Sequence, residues 1–411
     1  MRYYDFSIGA WCLVSGGGDP FGIATRAWEL EAGLAGCAEA GIKKISFHDR
    51  DLYDDDASEG TIIDVLNSVK EQLKRYRLQV YNFTTNLFSN PCFRSGAFSS
   101  PYPDVVQAAI VKGCKSMDAA YVLGAKYIIF WGGREGQDGC YEQDAGRGWM
   151  KYLLGIKACV DYAIAKGYDF KYTIETKLYE PRLLGSYAGT GSSAAAGIMK
   201  VFSDPKYQGR IFINPEYPQH VSMLGMDPVF ELGELLELGL LAPFIHFGGQ
   251  IPARMDCDLA PGIGSVLASD FMICLMLKER SWDGVIEFDC RPVRTTTTVE
   301  GLKLFLLHCV DYWRMLEDKV KIYQADPIIA NIRVALDKSY SAELEDVFQA
   351  SECDGNIVAA VASLAKKTPT FEDVAKINTD ANEAHAYRIG QILTGMQKRG
   401  TKMFDGTPWA A

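Results

Sequence analysis

Polar and aromatic side chains follow short apolar runs at several points along this chain. The residues in these positions are His48, Thr84, Trp131, Glu175, Glu216, His246 and Asp289. Short apolar runs are typical of buried strands, and a barrel of parallel strands gathers the residues at its strand ends on one face. Carboxylates gathered there repel one another unless a cation joins them. A divalent metal site is therefore the first hypothesis.

His48 stands three residues before Asp51, in a segment that continues into the acidic run Asp54 to Asp56. A carboxylate at that spacing can fix the tautomer of an imidazole and raise its basicity, as a general base requires. The alternative is a solvated acidic loop, which the aspartates that follow favour. The spacing by itself leaves both interpretations open.

Glu175 and Lys177 leave a predicted strand together, and Glu180 follows. An ammonium beside a metal-binding carboxylate can polarise a carbonyl group without binding the metal itself. The alternative is a surface salt bridge, which contributes little to stability. Because Glu175 follows three strand-like residues we expect it to be buried, and a buried carboxylate requires a partner.

Asp256 and Asp258 are separated by one residue. In an extended segment this spacing places both carboxylates on one side, an arrangement that suits a hard cation. Such pairs also arise by chance in an acidic chain, so this motif is weak when taken alone.

Alternating strands and helices must position these side chains. Strands are predicted near 4–9, 45–48, 79–83, 127–131, 172–176, 211–214, 244–247 and 284–288, with helices between them such as 28–40, 105–123, 149–166 and 229–238. The strands are apolar through most of their length, and their strict alternation with helices favours a parallel sheet. Eight such units predict a (β/α)₈ TIM barrel over residues 1–325.

A doubly wound open sheet is the alternative architecture. It would require a glycine-rich phosphate loop after the first strand, and the segment 15–20 is rich in glycine without matching that pattern. Residues 326–411 carry helical patterns without an obvious core. We predict a C-terminal helical extension that makes subunit contacts, with a disordered tail as the alternative.

Composition limits the class of protein. The chain has 411 residues, 48% of them hydrophobic, and a net charge of -10. It lacks the basic patch that nucleic acid binding needs and any apolar run long enough to span a membrane. Eleven scattered cysteines form no C-x-x-C pair. Reduced thiols, and an N-terminus without a signal-peptide pattern, predict a cytoplasmic protein.

Taken together, the motifs resemble xylose isomerase over roughly residues 5–325, in the order and approximate spacing of that family. They are Asp19-Pro20-Phe21-Gly22, Phe47-His48-Asp49-x-Asp51, Thr84-Thr85-Asn86-Leu87-Phe88, Phe130-Trp131-Gly132-Gly133-Arg134-Glu135-Gly136, Glu175-x-Lys177-x-x-Glu180-Pro181-Arg182, Asn214-Pro215-Glu216, Gly249-Gln250 with Asp256-x-Asp258, and Phe288-Asp289. The resemblance implies a TIM barrel enzyme that isomerises a small-molecule sugar.

The resemblance further implies two divalent metal ions as cofactors, Mn²⁺, Co²⁺ or Mg²⁺. The residues expected to hold them are Glu175, Glu216, His246 and Asp289 for the first ion, and Glu216, His220, Asp256 and Asp258 for the second. His48, oriented by Asp51, is expected to help open the cyclic sugar. Lys177 is expected to donate a hydrogen bond to the carbonyl oxygen at C1.

The remaining implications concern the substrate and the assembly. The expected substrate-binding residues are Trp11, Phe21, Thr84, Phe88 and Trp131. Phe21 resembles an aromatic residue that the family inserts from a neighbouring subunit, so a homodimer or homotetramer is expected. The implied reaction is aldose-ketose isomerisation, D-xylose to D-xylulose, by a metal-assisted hydride shift between C2 and C1.

Several departures from the family pattern cluster at the expected site. They are His246 in place of Asp, Gly248 in place of Asn, Arg291 in place of Lys, glycines after Ser15, and one extra residue between Glu216 and His220. A histidine can bind a metal through a ring nitrogen, so the first site can survive with one fewer negative charge. Two alternatives stay open: a divergent isomerase or epimerase of another sugar, and a sugar-binding pseudoenzyme.

Overall fold

Eight parallel strands close into a barrel in this computed structural model, which describes residues 3–19, 22–140, 142–178, 185–217, 226–353 and 355–396. The strands are β1 Asp5–Gly9, β2 Lys44–His48, β3 Gln79–Thr84, β4 Tyr127–Trp131, β5 Lys171–Thr176, β6 Ile211–Tyr217, β7 Phe244–Phe247 and β8 Val285–Phe288. Each strand pairs with its neighbours in chain order, and β8 pairs with β1. The predicted TIM barrel is confirmed, and the open-sheet alternative is wrong.

A helix follows each strand of the barrel. The helices are α1 Leu30–Ala40, α2 Glu59–Tyr76, α3 Pro103–Leu123, α4 Ala145–Ala165, α5 Gly191–Val201, α6 Pro228–Glu237, α7 Leu267–Glu279 and α8 Val299–Ala325. Ser58 and Asp144 cap α2 and α4, because their side chains accept hydrogen bonds from the backbone N–H groups of Thr61 and Arg147. Within the described part of the chain, no helix has the length and apolar character needed to cross a membrane.

An apolar layer fills part of the barrel interior. Ile129, Ala242, Phe244 and Val285 form a buried cluster against which Tyr81, Tyr127 and Phe212 pack. Side chains alternate between the two faces of a strand, so Phe244 and Val285 lie on the same faces of β7 and β8 as His246 and Glu287. The apolar layer is therefore one step closer to the N-terminal ends of the strands than these two polar residues.

The chain divides into two units, Met1–Glu317 and Asp318–Ala411. The second contains the end of α8 and the helices α9 Pro327–Leu336, α10 Ala342–Glu352, α11 Ile357–Ala365, α12 Phe371–Val374 and α13 Asp380–Thr394. Asp326 caps α9 and also accepts hydrogen bonds from Arg388 on α13, at 2.6 Å from Nη2. A helical C-terminal region is thus present. The boundary at residue 325 and the role in subunit contacts stay predictions.

An ion cluster ties the N-terminal end of the barrel together. The carboxylate of Glu317 on α8 is fully buried and accepts a hydrogen bond from the backbone N–H of Tyr4, at 2.9 Å. Lys278 at the end of α7 lies 2.7 Å from the same carboxylate, and Arg314 lies 2.6 Å from it. Glu317 therefore links the start of β1 to two helices.

We expect Glu317→Gln to lower the free energy of unfolding by about 3–5 kcal/mol, since it leaves a buried ammonium without its carboxylate. Urea unfolding followed by tryptophan fluorescence measures this change. Glu300→Gln is the matched control on the same helix, because the Glu300 side chain is 80% exposed and faces Lys303 at 3.8 Å. It should change stability by less than about 0.5 kcal/mol. Equal effects of the two variants would contradict a stabilising role for the cluster.

Candidate active site

The polar residues predicted at the strand ends converge at the C-terminal end of the barrel. Glu175 lies near the end of β5, Glu216 in β6 and His246 in β7, and Asp289 directly follows β8. The strand register places Glu216 opposite His246. Because parallel strands end at one rim, these four residues are brought together although they are far apart in the sequence.

Glu175, His246 and Asp289 form a first group that could hold a metal ion. Nδ1 of His246 lies 3.5 Å from the Glu175 carboxylate and 3.4 Å from the Asp289 carboxylate. All three residues are buried, His246 completely. One nitrogen and two carboxylates facing a common point form a donor set that suits a divalent ion tolerant of imidazole, such as Mn²⁺, Co²⁺ or Zn²⁺.

A second group consists of Glu216, Asp256 and Asp258. Nζ of Lys177 lies 2.8 Å from Glu216 and 2.6 Å from Asp256, and the Arg291 guanidinium lies 3.3 Å from Asp258. Three carboxylates form an all-oxygen donor set, which suits a hard divalent cation. The structure thus groups Glu216 with the second set.

Three of the predicted residues lie outside the described part of the chain. They are His220, a predicted ligand of the second ion, Phe21, the predicted intersubunit residue, and Glu180. The roles of His220 and Phe21 stay predictions.

The carboxylates of the two groups outnumber the lysine and arginine side chains that contact them. Burial, reinforced by the charge of Asp256, raises the pKa of Glu216 well above its usual range. Burial opposes a charge on His246, but the Glu175 carboxylate and hydrogen bonds with neighbouring acids raise its pKa well above the ordinary value. Burial also opposes ionisation of Asp289, yet its hydrogen bond with His246 holds the pKa of Asp289 well below its usual range. The site therefore attracts positive charge, which fits divalent ions.

His48 and Asp51 adopt a reciprocal arrangement at the end of β2. The His48 imidazole accepts a hydrogen bond from the backbone N–H of Asp51, and the Asp51 carboxylate accepts one from the backbone N–H of His48 at 2.7 Å. Nδ1 of His48 is 3.5 Å from that carboxylate, too far for a strong hydrogen bond. Asp51 thus orients His48 mainly through the turn, where the sequence predicted a direct carboxylate–imidazole contact.

An aromatic wall surrounds a cavity of about 410 Å³ above these groups. The rings of Phe88 and Trp131 are 4.2 Å apart, and those of Trp11 and His48 are 4.3 Å apart. The Trp11 indole N–H also donates a hydrogen bond to Asp289, at 2.7 Å. Trp11 therefore lines the cavity and orients a predicted metal ligand at the same time.

Thr84 does not lie on this cavity. It is buried, and its hydroxyl has no hydrogen-bond partner among the described residues. Asn86 lines the cavity, although the sequence had suggested Thr84. Arg50 and Arg291 also line it. Thr84 was predicted because it follows an apolar run. That pattern does not indicate which residue of the following loop faces the cavity.

Sequence reasoning also missed a polar network beneath the acids. Glu287 accepts hydrogen bonds from Ser46 at 2.6 Å and Asn82 at 2.8 Å, and it lies 3.1 Å from Nε2 of His246. One feature of the sequence could have indicated this network: Glu287 interrupts an apolar strand two residues before Asp289. That spacing places both acids on the inner face of the barrel.

Comparison with solved structures places the fold among known barrels. A structure of L-ribulose 3-epimerase matches with a TM-score of 0.56 and 15% identity, over 79% of this chain and 99% of that chain. D-allulose 3-epimerase from Methylomonas sp. matches with a TM-score of 0.52 and 17% identity, over 77% of this chain and 99% of that chain. At such low identity these matches show the fold alone.

Sequence comparison is more specific. No protein-family profile matches the chain. Xylose isomerase from Thermus thermophilus is 30% identical over 331 residues, which cover 80% of this chain and 83% of the relative. Xylose isomerase from Thermus caldophilus is 30% identical over 332 residues, with the same coverage. Identity of this extent over most of both proteins shows that the chain belongs to the xylose isomerase family.

Proposed function

We propose that the chain is a metal-dependent aldose-ketose isomerase of a free sugar, with D-xylose to D-xylulose as the reference reaction. One observation carries the proposal. Two groups of side chains that could hold metal ions lie at neighbouring strand ends. The ammonium of Lys177, which lines the cavity, contacts Glu216 and Asp256 of the second group. Membership of the xylose isomerase family supports the same reaction.

The two groups would hold divalent ions through Glu175, His246 and Asp289 on one side, and Glu216, Asp256 and Asp258 on the other. Bound ions would neutralise the acids and polarise the oxygen atoms of the sugar. Trp131 lies 5.2 Å from the Lys177 ammonium, so this ring holds the amine at the cavity wall. Lys177 would donate a hydrogen bond to the carbonyl oxygen at C1.

Ring opening moves a proton from the anomeric hydroxyl to the ring oxygen. His48 lines the cavity and is held by the turn at Asp51, so it is the candidate to carry that proton. Isomerisation of the open aldose then moves a hydrogen with its electron pair from C2 to C1. A proton passes from the oxygen on C2 to the oxygen on C1, which leaves a ketose.

An isomerase or epimerase of another sugar is the second candidate. It is favoured by His246 in the first group and by Arg50 and Arg291 at the cavity. An epimerase that removes a proton from carbon produces a different isotopic result from a hydride shift. In the first case the moving hydrogen exchanges with solvent, and in the second it stays with the sugar.

The test is a panel of pentoses and hexoses, incubated in D₂O with metal-stripped protein reloaded with Mn²⁺, Co²⁺ or Mg²⁺. We expect metal-dependent conversion of an aldose to its ketose without deuterium at C1, read by NMR. Epimers carrying deuterium on carbon would establish the second candidate instead. A metal-loaded protein that binds sugars and converts none would establish the pseudoenzyme.

Glu216→Gln should remove most metal binding at the second group and nearly all turnover, since an amide cannot replace the carboxylate charge. The loss should exceed the ~10–100-fold that an outer-shell partner costs. Metal content by elemental analysis and turnover on the best sugar are the measurements. Glu231→Gln is the matched control, because Glu231 is a buried carboxylate bonded to the backbone N–H of Gly191, outside the cavity. Full activity in Glu216→Gln would remove this residue from the site.

His246 should set the metal preference. An imidazole favours Mn²⁺ or Co²⁺ over Mg²⁺, which prefers oxygen ligands. We therefore expect Mn²⁺ or Co²⁺ to support activity better than Mg²⁺, and His246→Asp to shift the preference toward Mg²⁺. His308→Gln is the control, since His308 bonds the carbonyl of Pro261 and does not line the cavity. An unchanged order of metals in His246→Asp would mean that His246 is not a ligand.

A further inference from the structure

Glu287 is a fully buried acid in the middle of β8. Its two oxygens have different partners. Oε2 accepts hydrogen bonds from the Ser46 hydroxyl at 2.6 Å and from the Asn82 amide at 2.8 Å. Oε1 lies 3.1 Å from Nε2 of His246. The carboxylate therefore reaches across the barrel interior and connects four strands: β2, β3, β7 and β8.

The partners of Glu287 differ from those of an acid that only stabilises the fold. Glu317, equally buried, is neutralised by Lys278 and Arg314. Among the described residues, no lysine or arginine lies within ion-pair distance of Glu287, whose partners are two neutral donors and an imidazole. Because no lysine or arginine among these residues neutralises it, the Glu287 carboxylate interacts with the His246 imidazole and can orient it.

Orientation of the imidazole follows from hydrogen-bonding capacity. An ionised carboxylate only accepts hydrogen bonds, so Nε2 of His246 must carry the hydrogen that points at Oε1. When an ion takes the place of the hydrogen on Nδ1, the lone pair that binds it would lie on Nδ1. Nδ1 is the atom that faces Glu175 and Asp289, at 3.5 Å and 3.4 Å. The nitrogen available to a metal is thus directed at the first group.

All members of the network lie on strands of the barrel. Ser46 and Asn82 are fully buried, and the Ser46 hydroxyl oxygen also accepts a hydrogen bond from the backbone N–H of Asn82 at 3.3 Å. Both donors converge on the same oxygen of Glu287, which leaves the other oxygen aimed at His246. Ligands presented by strands and supported by hydrogen bonds keep their geometry better than ligands on loops.

We propose that Glu287 is a positioning residue that fixes the metal-facing tautomer of His246 and so makes the first group selective for divalent ions that accept an imidazole nitrogen. The inference rests on the proposed function, because it assumes that the first group holds an ion. It also accounts for the histidine itself: an imidazole at this position becomes a good ligand only with an acceptor behind it.

Glu287→Gln preserves the shape of the side chain and removes the charge. Ser46 and Asn82 favour the amide oxygen at the Oε2 position, so the amide NH₂ faces Nε2 of His246 and stabilises the opposite tautomer. We expect Mn²⁺ affinity of the first group, measured by calorimetry on metal-stripped protein, to fall by about 10- to 100-fold. The ¹⁵N shifts of His246 in the protein loaded with diamagnetic Zn²⁺ should report a loss of the form that carries its hydrogen on Nε2.

Two controls separate positioning from a general effect on folding. Glu317→Gln removes an equally buried carboxylate at the other end of the barrel, and we expect lower stability with Mn²⁺ affinity unchanged. Ser46→Ala keeps the Glu287 carboxylate and removes one of its donors, so it should weaken Mn²⁺ binding less than Glu287→Gln. If Glu287→Gln does not fold, the Mn²⁺ affinity of Ser46→Ala still tests the inference.

A His246→Asp background completes the test. If Glu287 acts through the imidazole, Glu287→Gln should cause no loss of Mn²⁺ affinity when His246 is absent. An equal loss in both backgrounds would overturn the inference, as would wild-type affinity and unchanged ¹⁵N shifts in the single variant. Failure of the wild-type protein to bind Mn²⁺ would instead reject the metal site of the proposed function, and the inference with it.

Discussion

A buried carboxylate persists only where a cation or several donors compensate for the water it has lost. The two ends of this barrel meet that requirement in different ways. At the N-terminal end, Glu317 is matched by Lys278 and Arg314, and the result is a structural link between β1 and two helices. At the C-terminal end the acids exceed the cations beside them. The same physical requirement thus produces a structural link at one end and, at the other, groups of acids that could hold a metal ion.

The two groups that could hold metal ions are chemically distinct. Glu175, His246 and Asp289 offer a nitrogen and two carboxylates, whereas Glu216, Asp256 and Asp258 offer only oxygen. Sites built this way need not prefer the same metal, since softer first-row ions gain from an imidazole and Mg²⁺ does not. If both groups hold ions as proposed, this asymmetry would allow two different metals to bind in one protein.

Much of the fold was predictable, because buried parallel strands are short apolar runs and their alternation with helices leaves few architectures. The residues at the strand ends were predictable for the same reason. The support beneath them was not. Glu287 meets Ser46 across 241 residues and Asn82 across 205 residues, and only barrel closure brings them together. Nor could spacing reveal that Asp51 holds His48 through the backbone, since that depends on the local turn.

The apolar layer around Phe244 and Val285 has a kinetic consequence. It fills the barrel beneath the polar network, so it closes the path to the acids from the N-terminal end. If the chain binds an ion and a sugar as proposed, both would arrive through the same opening, the cavity bounded by Trp11, Phe88 and Trp131. A sugar bound in that cavity would block the path of ions to the acids below it. On the proposed function, the ion would bind before the sugar, and a metal would exchange only in the interval after one sugar has left and before the next arrives.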